Sequence, residues 1–325
     1  MLVNEAVFEQ CIAKLGHVTF EQDKGWRDYE IKRGLPYLYF VDSEQQPTMA
    51  CCGRIFKKPL VGKILDITGE VKSKDTLSEK VMRNFYHSVI EDAGCDMISY
   101  NSKAVYDVDM EIALRRAGYN RPLGFRTCPL TIFVDLQSDT ESKRDRNWKR
   151  NAKKAAESNL TFEYVEHPTM EDACVVCKMF DEMSETKHLG YTLKPETLYV
   201  LISNPLYRLY YVRREERVIC ARIVCVYGEM AEDVFAANSN ESRECSATHF
   251  MMDCVFNDLK TTNAKVFDFS RIPPSDNETD SVYMFKRASG GGVVAYLGEW
   301  MWTKKRITPL LYSIFNFYIR KAHHY

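Results

Sequence analysis

Residues 130–163 read LTIFVDLQSDTESKRDRNWKRNAKKAAESNLTFE and lie at the centre of the chain. The segment opens with the apolar run Leu130–Val134, a pattern that predicts a strand. Ser138 and Glu141 follow with the S-x-x-E spacing of a capping box, so we predict a helix from there to about Ser158. The segment therefore predicts a strand followed by a basic helix, placed between the two halves of the chain.

The basic helix combines one apolar stripe with a dense positive charge. Trp148, Ala152 and Ala155 recur at helical spacing, which predicts one face packed on the protein. The other faces carry Lys143, Arg144, Arg146, Lys149, Arg150, Lys153 and Lys154, against the single acid Asp145. Arg and Lys side chains of this kind suit phosphate groups, and the alternative is a solvated face without a ligand. We predict an anionic ligand (a nucleotide-linked sugar, a lipid-linked diphosphate, coenzyme A or tRNA), bound by Trp148, Lys149, Arg150 and Lys153.

The two halves repeat one order of elements, a strand pair followed by helix, strand, helix and strand. The first half offers Pro36–Val41, Thr48–Phe56, Thr76–Ala93, Met97–Tyr100, Met110–Ala117 and Leu130–Val134. The second half offers Tyr207–Arg213, Val218–Tyr227, Thr248–Leu259, Lys265–Phe269, Ser281–Ala288 and Val293–Trp300. A period of roughly half the chain indicates a duplicated domain rather than a solenoid. This order is that of the GNAT acetyltransferase fold. We therefore predict an α/β protein with mixed sheets and two tandem GNAT-like domains, 1–137 and 161–325, joined by the basic helix at 138–160.

Composition narrows the class of protein. The 44 Lys and Arg residues nearly cancel the 45 Asp and Glu residues, giving a net charge of -1. That balance argues against a protein that coats nucleic acid through overall positive charge. The eleven cysteines are scattered rather than spaced as a framework, which favours reduced, buried thiols in a cytoplasmic protein. Cys174 and Cys177 have C-x-x-C spacing, but no second ligand pair follows, so we expect no metal site.

The C-terminal stretch Ile307–Ile319 is apolar but too short to span a bilayer. Lys304 and Lys305 precede it, and Arg320 and Lys321 follow it. Two alternatives stay open, a helix packed on its own domain and a helix lying on the inner membrane surface.

Three segments resemble the Fem-type (FemABX-like) transferases, which attach amino acids to cell-wall precursors. The central segment is similar to that family's strand, acidic turn and basic helix of the form R-x-N-x-R-K-A-x-x-x-G; Lys149, Arg150, Asn151, Lys153, Lys154 and Ala155 occupy those places, with Asn159 in place of Gly. Residues 267–291 read FDFSRIPPSDNETDSVYMFKRASGG and resemble a strand, loop and helix ending in F-K-x-x-F-G-G; Phe285, Lys286, Gly290 and Gly291 match, and Ser289 replaces an aromatic. VTFEQDKGW (18–26) is similar to an F-x-Q-x-x-x-W element through Gln22 and Trp26.

The resemblance implies direct transfer of an activated acyl group to an acceptor amine, without a covalent enzyme intermediate. It implies that Lys286 offsets the negative charge developing on the carbonyl oxygen and that Phe285 shapes the adjoining pocket. Gln22, Trp26 and Arg287 are then candidates for substrate binding. The alternative for Lys286 is a solvated cation, which the helix dipole favours at a helix C-terminus. Asp268, Glu232, Asp233 and His249 are open alternatives as the base, and we include Asp268 among the catalytic candidates.

The donor stays open between an aminoacyl-tRNA and an acyl-CoA. Acetyl-CoA enzymes hold the pyrophosphate in a glycine-containing loop, but residues 238–250 read NSNESRECSATHF, without glycine. We expect an acyltransferase acting on an amine of a cell-envelope (peptidoglycan or polysaccharide) precursor, which is an anionic sugar nucleotide or a lipid-linked molecule. Two alternatives are an acyl-CoA-dependent sugar N-acyltransferase and an inactive double domain that binds an anionic glycan precursor or a partner protein.

Overall fold

The computed structural model describes residues 1–16, 19–124, 127–187, 191–272, 281–305 and 307–314. The strands are β1 Leu2–Val3, β2 Tyr37–Val41, β3 Met49–Lys58, β4 Gly62–Thr68, β5 Val71–Lys72, β6 Met97–Val105, β7 Leu130–Asp135, β8 Leu160–Val165, β9 Tyr207–Arg214, β10 Arg217–Tyr227, β11 Met230–Asn238, β12 Val266–Arg271 and β13 Gly292–Thr303. The helices are α1 Glu5–Leu15, α2 Lys24–Lys32, α3 Glu79–Asp92, α4 Val108–Ala117, α5 Thr140–Lys143, α6 Arg146–Ala156, α7 Met170–Lys187, α8 Pro195–Ile202, α9 Asn240–Glu244, α10 Ala247–Leu259, α11 Ser281–Ala288 and α12 at 308–314. Within these ranges, no helix has both the length and the apolar character needed to cross a membrane.

The chain folds into two compact units. The first unit combines Met1–Pro129 with Ala295–Tyr325, and the second unit is Leu130–Val294. These bounds differ from the predicted domains 1–137 and 161–325, because the segment at 138–160 lies within the second unit and the end of the chain returns to the first.

An exchange of two strands explains the different bounds. β7, predicted to end the first half, lies antiparallel to β12 in the second unit, with Val134 opposite Phe267. β13, predicted to end the second half, lies antiparallel to β6 in the first unit, with Trp300 opposite Tyr100. The alternation of apolar side chains predicts which residues of a strand are buried. It does not predict which other strand pairs with that strand. The predicted order of elements was therefore right, and the predicted assignment of these two strands was wrong.

The sheet of the first unit runs in the order β1-β2-β3-β4-β6-β13, with β5 beside β3. Its neighbours are antiparallel except β4 and β6, which are parallel. Successive side chains of a strand point to opposite faces, and both faces are covered. α3 and α4 pack on one face around Tyr86, Tyr100 and Trp300, whereas α1 packs Phe8 and Cys11 on the other.

The sheet of the second unit runs in the order β7-β12-β11-β10-β9-β8. β11 and β12 are its parallel neighbours. α6 and α10 pack on one face in a core that includes Trp148, Tyr210 and Phe256. Tyr211 points to the opposite face, where its hydroxyl donates to the Asp172 carboxylate of α7 at 3.2 Å. Strands β10 and β11 of this sheet carry side chains of the candidate site.

The basic segment forms two helices instead of the single one predicted. Asp145 is the N-cap of α6, and its carboxylate accepts the Trp148 N–H at 2.7 Å. Asp139, rather than Ser138, caps α5 by accepting the N–H groups of Glu141 and Ser142. A short acidic side chain satisfies the N–H groups that a helix start leaves free. The single acid of the basic stretch was therefore the signal for a second helix start.

Candidate active site

The parallel strands β11 and β12 separate part of the way along the second unit's sheet. They pair over three residues and part after Glu232 and Asp268. β11 continues alongside β10, whereas β12 is kinked at Ser270, whose φ is 59°. In the first unit, by contrast, β4 and β6 stay paired to the last residue of β4, with Thr68 opposite Asn101. The second unit therefore has a break between parallel strands that its counterpart lacks.

A cavity of about 850 Å³ lies beside β11 beyond this break. Its wall combines side chains from α6, α7, β10, β11, the α9–α10 segment and α11. The side chains in this wall include those of Asn151, Lys154, Arg222, Asp233, Asn238, Arg243, Ser246, Thr248, His249, Phe285 and Lys286. Two of the predicted catalytic residues, Phe285 and Lys286, thus line one cavity.

Lys286 is anchored beside the kink in β12. Its ammonium donates to the carbonyl oxygens of Phe269 at 2.6 Å and Arg271 at 3.2 Å, which flank the kinked residue. Burial lowers the pKa of Lys286, while the carboxylates of Asp233 and Asp268 act in the opposite direction. An ammonium has three N–H donors, and among the described residues only two acceptors bind that of Lys286.

An ion pair between two neighbouring strands faces Lys286. Arg222 of β10 donates through Nη1 to Oδ2 of Asp233 on β11, at 2.8 Å. The other carboxylate oxygen of Asp233, Oδ1, is buried and has no hydrogen-bond partner among the described residues. Burial raises the pKa of the Asp233 carboxyl, against the opposing effect of Arg222 and Lys286. The Asp233 carboxylate therefore lies in the cavity wall with one buried oxygen that has no partner among the described residues.

Asp268, predicted as catalytic, lies beside the cavity but does not line it. Its buried carboxylate accepts the Thr131 hydroxyl and, at 2.7 Å, the backbone N–H of Ser270. These bonds hold the kink whose flanking carbonyls bind Lys286. Its position is that of a support for Lys286 rather than of a group that touches a substrate.

Trp148, predicted to bind substrate, is completely buried. Its indole N–H donates to Asp253 at 3.2 Å, and its ring stacks on Phe285. The stripe Trp148–Ala152–Ala155 is therefore the packed face, as predicted, and Trp148 lies behind Phe285 rather than in the cavity wall. A tryptophan on the packed face of a helix is enclosed by the core that it stabilises.

The predicted phosphate-binding cations divide into two groups. Lys149, Arg150 and Lys153 are exposed on α6 and do not line the cavity, whereas Lys154 does. Lys149 donates to the Ser142 carbonyl oxygen at 3.3 Å. Arg287 is also exposed, next to the Tyr283 hydroxyl at 3.4 Å, and it too lies outside the cavity wall.

Two predicted residues belong to the first unit. Trp26 lines a small cavity of about 140 Å³ together with Arg54 and Asp66. Gln22 is completely buried, and its amide donates to the carbonyl oxygens of Cys52 at 3.0 Å and Thr68 at 2.8 Å. Its carbonyl accepts the Cys52 N–H at 2.6 Å. The side chain thus ties β3 to the end of β4, and these bonds give Gln22 a structural role in the first unit.

Several residues of the cavity were not predicted from the sequence. Arg222 had a usable signal, because it is the one charged residue inside the apolar strand segment VICARIVCVY at 218–227, and a charge in such a strand needs a partner. Asn238, Arg243 and Thr248 had no comparable signal. Among the described residues, no three His, Cys, Asp or Glu side chains are grouped as metal ligands.

Comparison with solved structures identifies the fold. The structure of FemX superimposes with a TM-score of 0.76 at 12% sequence identity, over 97% of this chain and 99% of that chain. The structure of L-PGS from Bacillus licheniformis gives 0.61 at 13% identity, over 96% of both chains. A tandem GNAT protein from the clavulanic acid biosynthesis pathway gives 0.54 at 9% identity, over 91% of this chain and 92% of that one. No protein-family model and no curated protein sequence matches the chain.

The chain therefore has the Fem-type tandem GNAT fold, in the α/β class. This confirms the predicted fold and the predicted resemblance. At identities this low, the similarity concerns the fold alone.

Proposed function

We propose that the protein transfers an acyl group from an activated ester or thioester to an amine, in the cavity of the second unit. The observation that carries the proposal is the pairing of two groups in one wall. Lys286 offers an N–H donor, and Asp233 offers a carboxylate with a buried oxygen that no described residue binds. An acyl transfer to an amine needs one group of each kind.

The proposed reaction proceeds by direct attack. The Asp233 carboxylate accepts a proton from the acceptor ammonium, and the free amine attacks the carbonyl carbon of the donor. The carbonyl oxygen becomes negative, and the Lys286 ammonium donates a hydrogen bond to it. The C–O or C–S bond then breaks, and the leaving oxygen or sulfur takes up the proton held by Asp233. The acylated nitrogen gives its remaining extra proton to the regenerated Asp233 carboxylate, which releases it to water. Burial raises the pKa of the Asp233 carboxyl, which makes it a better proton acceptor than an exposed carboxylate.

Of the other base candidates, Glu232 and Asp268 do not line the cavity. His249 does, but burial lowers its pKa to about 4. A base with so low a pKa has little affinity for the proton of an amine. Asp233 is the first choice because it lines the cavity and has a carboxylate oxygen without a partner among the described residues.

The start of α10 supports an anionic donor. Its N-cap residue, Ser246, makes no side-chain cap bond, and the positive end of a helix of this length attracts anions. Lys154 and Arg243 line the same cavity and add positive charge. An aminoacyl-tRNA and an acyl-CoA both carry phosphates, so this arrangement suits either donor. Both stay in the proposal.

For the acceptor, we propose an amine on a nucleotide-linked or lipid-linked precursor of the cell envelope, modified in the cytoplasm. The support is the sequence resemblance through Phe285 and Lys286, together with a fold similar to that of FemX. The Phe-Lys pair lies in the cavity wall, as the resemblance requires.

The test is a turnover assay with two donors and one acceptor. In two parallel reactions, the protein is incubated with a nucleotide-linked peptidoglycan precursor and one radiolabelled donor. The donor is an aminoacyl-tRNA in the first reaction and acetyl-CoA in the second. Transfer of label to the precursor from one of them is the expected result. Lys286→Met should lower the rate about 100- to 1,000-fold, the usual effect of losing an oxyanion donor, while the affinity for the donor stays within a few fold.

The matched control is Lys265→Met, because Lys265 is half exposed and pairs with Glu229 on the surface of the same unit. It should leave the rate unchanged. Equal rates for Lys286→Met and the wild type would overturn the catalytic assignment. Binding of the precursor without turnover with either donor would instead point to an inactive binding module.

A further inference from the structure

The helix α12 presents two different faces. Thr308 and Tyr312 are buried. Ile307, just before the helix, is 59% exposed, and Leu310 and Ile314 are 53% and 47% exposed. Their spacing of three and four residues places these apolar side chains on one side. Such a row of exposed, large apolar side chains indicates an interaction surface.

The buried face of α12 packs next to the hairpin that joins β3 to β4. Tyr312 shares a small buried cluster with Val61, and the Lys58 ammonium lies 6.0 Å from the Tyr312 ring centroid. Leu60, at the tip of this hairpin, is 86% exposed with a positive φ of 66°. A leucine rarely adopts that conformation, and here its side chain points into solvent. The hairpin-helix surface is formed by Leu60, Ile307, Leu310 and Ile314.

Five lysines belong to the segments that carry the hairpin-helix surface. Lys57, Lys58 and Lys63 lie in the two strands of the hairpin, and Lys304 and Lys305 come just before Ile307. Asp96 connects their strands, because its carboxylate accepts the Lys63 N–H and its carbonyl oxygen accepts the Lys304 N–H, both at 2.9 Å. Asp96, just before β6, thereby bridges the start of β4 and the residue after β13, which lie on either side of β6. Positive charge is concentrated where the apolar side chains are exposed.

We propose that the hairpin-helix surface docks the protein on a membrane that contains anionic lipids. Exposed isoleucine and leucine side chains can enter the boundary between headgroups and acyl chains, and neighbouring lysines attract anionic headgroups. A second copy of the chain fits less well, since an isologous contact would bring the two sets of lysines together. The residues concerned belong to the first unit, so this inference is independent of the chemistry proposed for the second.

The test measures binding of the full chain to vesicles by flotation. Vesicles of phosphatidylglycerol and phosphatidylcholine in equal parts should bind the protein, and added salt should weaken the binding. Phosphatidylcholine vesicles should bind it poorly. Replacing Lys304 and Lys305 by Gln should weaken binding about fivefold per lysine. The triple variant Ile307→Ser/Leu310→Ser/Ile314→Ser should lower affinity by at least about tenfold.

Two further variants make the result decisive. Leu60→Asn suits the left-handed backbone and changes only an exposed tip, so it tests the surface without disturbing the packing of α12. Val108→Ser is the control, because Val108 of α4 is also 59% exposed but lies away from the proposed surface. α4 packs on the sheet face that carries Leu65, whereas Tyr312 of α12 packs with Ile64 on the opposite face.

The expected result is weaker binding for Leu60→Asn and the triple variant, with wild-type binding for Val108→Ser. Wild-type binding by the triple variant, or equal binding to neutral and anionic vesicles, would overturn the proposal. So would sedimentation velocity showing a dimer that the triple variant converts to monomer, because the surface would then join two copies of the chain.

Discussion

The indole ring of Trp148 stacks on the ring of Phe285, with centroids 5.0 Å apart and an angle of 28° between the planes. The ring of His249 meets both edge-on, at 4.8 Å and 5.1 Å. These three residues lie on α6, α11 and α10, so one aromatic cluster joins three helices. Lys286 directly follows Phe285 in α11. The buried stack therefore fixes the position from which the ammonium reaches the cavity.

Trp148→Ala should destabilise the protein by about 3 to 5 kcal/mol, because it removes a completely buried aromatic side chain and leaves a cavity. Trp148→Phe keeps a ring against Phe285 but loses the bond from the indole N–H to Asp253, and it should cost less, about 1 to 2 kcal/mol. Urea unfolding followed by fluorescence or circular dichroism measures both. Equal losses for the two variants would contradict a role based on stacking.

The fold was predictable where the signals are local. Pro195 at the first position of α8 and Gly118 in the left-handed conformation after α4 mark helix ends that the sequence shows directly. The partners of β7 and β13 were not predictable in this way. Both strands have apolar patterns that fit either sheet, and the choice depends on contacts between residues far apart in the chain.

The candidate site was predictable only where a local sequence signal marks its residues. Lys286 and Phe285 were found through a short motif, and they do line the cavity. Gln22 and Trp148 belong to similar motifs, but their side chains are enclosed by the core. A motif records which residue occurs, whereas the exposure of its side chain depends on packing. From the sequence, Asp233 was one of four candidates for the base. Only the structure distinguishes it, through a carboxylate oxygen without a hydrogen-bond partner among the described residues.

Gly291→Ala should destabilise the second unit by about 2 kcal/mol or more. A Cβ at this position would lie 2.6 Å from the backbone carbonyl oxygen of Phe133 and 2.6 Å from Cγ2 of Ile132. Backbone cannot move aside as a flexible side chain can, so overpacking results. The adjacent Gly292→Ala is the control, since nothing lies within 4 Å of its Cβ, and it should change stability by less than about 0.5 kcal/mol. Thermal and urea unfolding compare them, and similar losses would refute the close approach.

Gln22→Leu should lower the free energy of unfolding by about 2 to 4 kcal/mol. The change leaves the Cys52 N–H and the carbonyl oxygens of Cys52 and Thr68 without the partners that they have in the buried interior. The exposed Gln46 provides the control, and Gln46→Leu should be close to neutral. A stable Gln22→Leu variant that had lost affinity for a precursor would instead favour the role in substrate binding that the structure argues against.

The stability of the protein should fall on acidification because of His249. Burial lowers the pKa of this ring to about 4 in the folded state, from an ordinary value of 6.5. Between these two pH values the unfolded chain binds a proton that the folded chain does not, so stability decreases as the pH falls through this window. The shift corresponds to about 2 to 3 kcal/mol between pH 7 and pH 4. His249→Gln should remove that part of the pH dependence, as measured by urea unfolding at several pH values. The same change at the exposed His87 serves as the control; a slope that His249→Gln leaves unchanged would show that the buried ring is not its source.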